Sequence, residues 1–246
     1  MAFWFHRNPL KATGIVNFDL KMLAMDSQAL KLCSDLRLAR NHLLDLLTDP
    51  LNDIGTIETA LNTYLALFAG MILAPDEKGG ESKLRNTTRF RWTQTMLGQT
   101  PLVQSDAVFE LVSICQNVGI WHMKHASSIA AKEDINMDEA KDVHKCLRKA
   151  AGYFSAMKDK YVGQLREQPV PGSDLDSRVS TAYINQCTAE AQEGIVVCMF
   201  HNNLFVNCFR TPFYLRSYLA LYVHRRAKVY GPGIARKSRF FSTACE

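Results

Sequence analysis

Residues 105–131, SDAVFELVSICQNVGIWHMKHASSIAA, decide the fold. Within them Val108, Leu111, Val112, Cys115, Val118, Gly119, His122, Ala126 and Ile129 recur at steps of three and four, the spacing of one helix face. The run predicts the clearest helix of the chain. Upstream, residues 27–48 set Ala29, Leu32, Cys33, Leu36, Ala39, Leu43, Leu44 and Leu47 on one stripe, with Arg37, Arg40 and Asp45 off it, and Asp49-Pro50 stops the run. Residues 56–74 repeat the pattern and end before Pro75. The stretch Arg89–Thr95 alternates like a strand but is short enough to be a connector.

Downstream, Asn136 with Glu139 three residues on predicts a capping box for a helix reaching about Leu165. Gln168-Pro169-Val170-Pro171-Gly172 breaks the chain, and a fifth helix is expected from Ser173 or Asp174. Five antiparallel helices with short connections predict an all-α, solenoid-like stack of helix pairs.

Charge divides the chain. Residues 194–246 carry eight Lys or Arg against the single acid Glu246, while 1–193 hold 21 basic and 23 acidic residues. A balanced body of 1–193 and a basic tail of 194–246 are therefore expected as separate pieces. The seven cysteines show no C-x-x-C pair, which fits free thiols in a reducing compartment. The opening residues lack the apolar run of a secretory signal, so a cytosolic address is expected. In 194–223 an apolar stretch is interrupted by Asn202, Asn203, Asn207, Arg210 and Arg216, which argues against a membrane span.

Catalytic patterns are wanting: no nucleophile elbow, P-loop or H-E-x-x-H is present. His122 and His125 lie three apart on one predicted helix, but no third ligand at a suitable spacing completes a metal set, so no metal and no cofactor is expected. Residues alone lead to a helical interaction protein.

Blocks of letters lead further. Trp4-Phe5-His6-Arg7-Asn8-Pro9-Leu10-Lys11-Ala12-Thr13, Cys33-Ser34-Asp35-Leu36-Arg37, Glu81-Ser82-Lys83-Leu84-Arg85, Asp106–Leu111, Asp138-Glu139-Ala140-Lys141, Ala150-Ala151-Gly152 and Ala189-Glu190-Ala191-Gln192-Glu193 follow in order over 4–193. This series resembles the Bro-one domain family, and within it the branch ending in a C-a-a-X box. The resemblance implies a boomerang-shaped, tetratricopeptide-like domain. It implies a non-enzymatic scaffold of the membrane-scission (ESCRT) machinery, binding the C-terminal helix of charged multivesicular body proteins (ESCRT-III) in a groove. By alignment to the family's Asp138-Glu139 block, Lys141 corresponds to a rim lysine, Met137 stands where an acid is usual, and Ile195 falls at an apolar groove position.

A family domain is about twice the matching length, so the resemblance implies its N-terminal half, incomplete in the C-terminal half. An altered reading frame, a retained intron, a gene-model error and a short form with its own tail are the accounts of residues 194–246. Cys245 is penultimate and not four from the end, so no prenyl chain is expected on it. The rival functional reading is electrostatic contact of the basic tail with anionic membrane or nucleic acid, of which weak membrane or nuclear-envelope association is the more expected.

Overall fold

The computed structural model describes residues 9–18, 26–74, 80–95, 100–132 and 135–201, with the side chains of the last helix described up to residue 193. The block Trp4–Asn8, Cys245, the tail after residue 201 and the Ile195 side chain lie outside the described residues. The chain divides into a unit Met1–Ile195, described below, and a unit Val196–Glu246, of which only the end of the last helix is described.

In chain order the elements are α1 (Ser27–Thr48), α2 (Ile54–Ile72), β1 (Phe90–Trp92), β2 (Leu102–Gln104), α3 (Ala107–Ala130), α4 (Met137–Ala156) and α5 (Ser177–His201). The chain is all-α apart from a small sheet. β1 pairs antiparallel with β2, Arg91 opposite Val103, and Thr13 bridges to Trp92 on the other side of β1.

α3 is the helix around which the others pack. Its first turn forms because the Asp106 carboxylate accepts the Val108 N–H at 3.0 Å, satisfying one of the donors that a helix start leaves unpaired. Arg85 grips the same carboxylate with Nε at 2.7 Å and Nη2 at 3.1 Å, and the Arg166 N–H donates to it at 3.2 Å. Burial would raise the Asp106 pKa; the guanidinium and the two N–H donors outweigh it and hold the carboxyl below its usual range.

A single apolar face was expected of α3, but every residue from Ala107 to Met123 is buried. The helix has α1 and α2 against it on one side, α4 on another, and β1 as a third neighbour. A polar residue on it can be satisfied only by a partner inside the protein. Glu110 is satisfied in this way. Its Oε1 accepts from Arg40 Nε at 2.7 Å and the Tyr64 hydroxyl at 3.1 Å, and its Oε2 from Trp92 Nε1 at 2.6 Å. Burial and this carboxylate raise the Tyr64 phenol well above its ordinary pKa, so it remains a donor.

Arg40 corrects the reading of α1, where it was placed off the buried stripe. It is 1% exposed, and Leu32, placed on the stripe, is 57% exposed. The buried positions are Leu36, Arg40, Leu43 and Leu47. Arg40 turns inward because Glu110 needs a counter-charge, and its remaining donors reach the Gly14 carbonyl at 3.1 Å and Thr13 Oγ1 at 2.7 Å.

The segment from Lys11 to Phe18 is thereby pulled onto the core. The Asn117 side chain accepts the Lys11 N–H at 2.8 Å and donates to the Lys11 carbonyl at 3.0 Å, as a neighbouring strand would. Lys11 Nζ lies 3.2 Å from Ser113 Oγ and 3.9 Å from Asp174. Burial pushes its pKa down to about 8, with Asp174 and Glu110 pulling back. Phe18 sits at φ 52, a costly angle for a non-glycine residue. Edge and tilted packing against Phe68 and Phe90 holds it there.

α4 lies close to α3 because Gly119 has no side chain: a Cβ there would stand 2.7 Å from the Phe154 ring. The capping box at Asn136 forms as the sequence predicts, the side chain accepting from Asp138 and Glu139 N–H at 2.9 Å and Glu139 reaching back to Asn136 N–H at 3.1 Å. The helical path extends toward Leu165, but as a π-turn over Met157–Tyr161 and a 3₁₀ turn over Val162–Gln164. α5 starts at Ser177, later than expected. Asp174 is turned inward to accept from Thr95 N–H at 2.8 Å and to face Lys11, and Asp176 takes the first Arg178 N–H at 2.9 Å.

Two stability changes follow. Glu110→Gln leaves Arg40 buried without its counter-charge and should cost about 3–5 kcal/mol in urea unfolding; a loss under about 1 kcal/mol would contradict the pairing described. Gly119→Ala should cost about 1–3 kcal/mol through the clash with Phe154, and adding Phe154→Leu should return part of that loss.

Candidate functional site

The rim residues expected from the family pattern fall on α4. Its inner face buries Ala140, Val143, Cys146, Leu147, Ala150, Ala151 and Phe154. The outer face is left to solvent. Met137 is the first helical residue and half-buried; Lys141 lies one turn further and is exposed. The structure therefore brings Met137 and Lys141 together. Ile195 belongs to α5, and its side chain is not described.

Beside Met137, Asp138 pairs with Lys141. Asp138 Oδ1 lies 2.9 Å from Lys141 Nζ, so each group favours the other's charged form: the lysine pKa is raised and the carboxyl lowered. Both are open to water, and the pair contributes little to stability. Two further cations share the row. Lys145, four residues on, lies 3.5 Å from Asp142, and Arg148 follows three residues later with no carboxylate within salt-bridge range among the described residues. Positions 141, 145 and 148 form one helix face. The sequence carried this spacing, but attention to single aligned positions passed over Lys145 and Arg148.

Lys149 leaves that row and pairs with Glu58 of α2. At the N-terminal end, Lys132 holds Glu139 at 2.5 Å and, with the Asn136 N–H, lowers the Glu139 pKa. The site is thus a helix fixed on one side, capped at its start, and presenting three cations on the other. Elsewhere, a cleft of about 470 Å³ between α1 and α2 is lined by Ala39, His42, Asp53, Thr56, Thr59 and Thr63. The Thr59 hydroxyl donates to the Gly55 carbonyl, and that of Thr63 to the Thr59 carbonyl.

The described part of the chain is an all-α domain whose α4 turns Lys141, Lys145 and Arg148, together with Asp138 and Asp142, to solvent. The chain belongs to the BRO1-like domain family, whose sequence profile matches residues 55–205. The chain is 47% identical over 193 residues to the BRO1 domain-containing protein BROX of Pongo abelii, covering 78% of this chain and 47% of that protein. It is 46% identical over the same length to the Homo sapiens protein, with the same shares covered. The BROX homolog of Caenorhabditis elegans is 38% identical over 206 residues, covering 80% of this chain and 48% of that protein. The chain therefore spans about half the length of the curated relatives it matches. The Bro-one resemblance read from the ordered blocks is confirmed.

His122 and His125 have separate environments. The His125 ring stacks on Trp121 at 4.9 Å with Nδ1 2.7 Å from the Pro50 carbonyl. His122 is fully buried, stacks on Tyr153 at 5.6 Å, and has no hydrogen-bond partner at either ring nitrogen. Among the described residues no group of three His, Cys, Asp or Glu is placed to hold a metal. Burial, with help from Lys149, pushes the His122 pKa down to about 4. The folded protein therefore resists protonating it while the unfolded chain accepts a proton near pH 6.5. This stabilising contribution is fully present above about pH 6.5 and is lost as pH falls through the folded pKa, a change on the order of 3 kcal/mol. Urea unfolding from pH 7 to pH 4 should show the decline, and His122→Phe should flatten it; an identical pH slope in the variant would refute the assignment.

Proposed function

We propose that the outer face of α4 docks an acidic, amphipathic helix, and that the chain acts as a non-enzymatic scaffold of the ESCRT pathway. The partner class is the C-terminal helix of charged multivesicular body proteins, the ESCRT-III subunits. The observation that supports this is the row Lys141, Lys145 and Arg148 on a helix whose opposite face is locked to α3. A docked helix seats its apolar residues in a groove while acids along its edge meet such cations, which set register and encounter rate more than affinity. Met137 supplies an apolar contact at the start of the row, and Ile195 is assigned to the apolar part of the groove.

Residues 1–193 carry most of the docking half of this arrangement, and 194–246 are a basic piece whose first residues, Ile195 among them, continue α5. The four thiols Cys33, Cys115, Cys146 and Cys187 are free, which supports a cytosolic address. The charge of the tail supports a second reading, weak contact with anionic membrane; nucleic acid is not an expected partner.

Titrating a fluorescently labelled C-terminal helix of a charged multivesicular body protein tests the docking. Lys141→Glu with Arg148→Glu should weaken binding about tenfold at low salt, with a smaller effect at high salt. Equal affinity for wild type and variant would sink this placement of the site. A tail-driven interaction would instead survive both changes and vanish as salt rises to physiological strength.

A further inference from the structure

We infer that the cleft between α1 and α2 is a second docking site, one that takes an arginine side chain from a basic segment of a partner protein. The cleft measures about 470 Å³, roomy enough for a long side chain. Ala39 and Ala60 are the least exposed residues of its lining, and His42, Asp53, Thr56, Thr59 and Thr63 stand exposed around them. What can enter depends on which hydrogen-bonding groups are still open. The Thr59 hydroxyl donates to the Gly55 carbonyl at 2.8 Å and the Thr63 hydroxyl to the Thr59 carbonyl at 2.9 Å, while that of Thr56 turns to Asp53 Oδ2 at 3.4 Å. A hydroxyl whose proton is committed can still accept. The α2 wall therefore offers three hydroxyl acceptors on successive turns with a carboxylate at their end, and a ligand must bring the donors.

The start of a helix ordinarily favours an anion. Here that place is taken, because Asp53 Oδ2 accepts the Thr56 N–H at 3.0 Å. The surroundings carry the same negative sign. Residues 41–77 contain no Lys or Arg, yet they hold Asp45, Asp49, Asp53 and Glu58. Glu58 is paired with Lys149 of α4, whereas the three aspartates have no cation within salt-bridge range among the described residues. The cations of α1 lie elsewhere: Arg40 is buried against Glu110, Arg37 falls on another face, and Lys31 stands about three turns before His42.

A positive donor is thus the complement of the cleft. An ammonium concentrates three donors at one point, whereas a guanidinium spreads five over a planar fork, which suits acceptors strung along a helix. Leu38, one turn before His42 and 61% exposed, offers the rest of the segment an apolar contact on the same face of α1. Nucleic acid and anionic membrane carry the wrong charge for this surface.

The cleft takes a cation and the α4 row an acid, so the two readings fail separately. The full chain is titrated, by fluorescence anisotropy, with a labelled octapeptide of alternating glycine and arginine and with its lysine counterpart. Tighter binding of the arginine peptide is expected. Asp53→Asn keeps a capping side chain and removes the charge. Combined with Thr59→Val, which removes an acceptor at nearly constant shape, it should weaken the arginine peptide about tenfold. Ala39→Leu fills the cleft with every charge left in place and should weaken the peptide to a similar degree. Circular dichroism and urea unfolding check that the variants are folded. Lys141→Glu with Arg148→Glu, which tests the α4 row, should not weaken this peptide. A wild-type chain that does not bind the arginine peptide overturns the inference, as does equal affinity for the lysine peptide. So does a loss in the Asp53 and Thr59 variant without one in Ala39→Leu, which would mean diffuse attraction to an acidic surface.

Discussion

One buried carboxylate, Glu110, fixes the relation of four pieces of the chain. It receives hydrogen bonds from Arg40 of α1, Tyr64 of α2 and Trp92 of β1, while itself standing on α3. A lone carboxylate in that place would be prohibitive, so each donor is obligatory. The constraint passes outward through Arg40, whose other donors hold Thr13 and Gly14. It thereby places the segment that bridges to β1 at Thr13. A second anchor, Arg85 with Asp106, ties the loop after α2 to the start of α3 and to Arg166 beyond α4. Apolar packing supplies the bulk of the driving force, but these polar knots decide which packing is adopted.

Perturbed groups often mark reactive sites, yet here each has an architectural explanation. Lys11 sits between Ser113 and Asp174 and joins the N-terminal segment to the turn before α5. Cys115 and Cys187 are pushed up to about 12 and Cys146 to about 11 by burial, which keeps these thiols protonated and inert. His122 is kept neutral by the same cause. None of these side chains reaches solvent, whereas the exposed groups of α4 are the ion pairs Lys141–Asp138 and Lys145–Asp142 and the cation Arg148. The chemistry of the interior is that of a frame.

Much of this was legible in the letters. The five helices, the Asn136–Glu139 box and the short strand at Phe90–Trp92 follow from local rules, because caps and periodicity act within a few residues. The misplacement of Arg40 and Leu32 has a non-local cause. Periodicity sorts residues by polarity, and a charge buried by a partner seventy positions away defeats it. The start of α5 was missed for the same reason: Ser173 and Asp174 are good caps in isolation, but Asp174 is committed to Thr95 and Lys11. At the candidate site the family pattern pointed to Met137 and Lys141, and what the structure adds is that both stand on α4 in line with Lys145 and Arg148, a row visible only when α4 is seen to have one face spoken for.

The glycine at 119 connects the frame to the exposed face of α4. α4 can present Lys141, Lys145 and Arg148 in a fixed row only if its opposite side is held without slack, and the Phe154 ring over Gly119 provides that contact. A larger residue there would have to displace Phe154, on which Tyr183 of α5 stacks at 4.8 Å. α3, α4 and α5 are thus linked through a single ring. A change at Gly119 would shift the exposed row of α4 relative to α5 through that ring. Backbone proximity in the core therefore sets where the exposed face of α4 stands relative to α5.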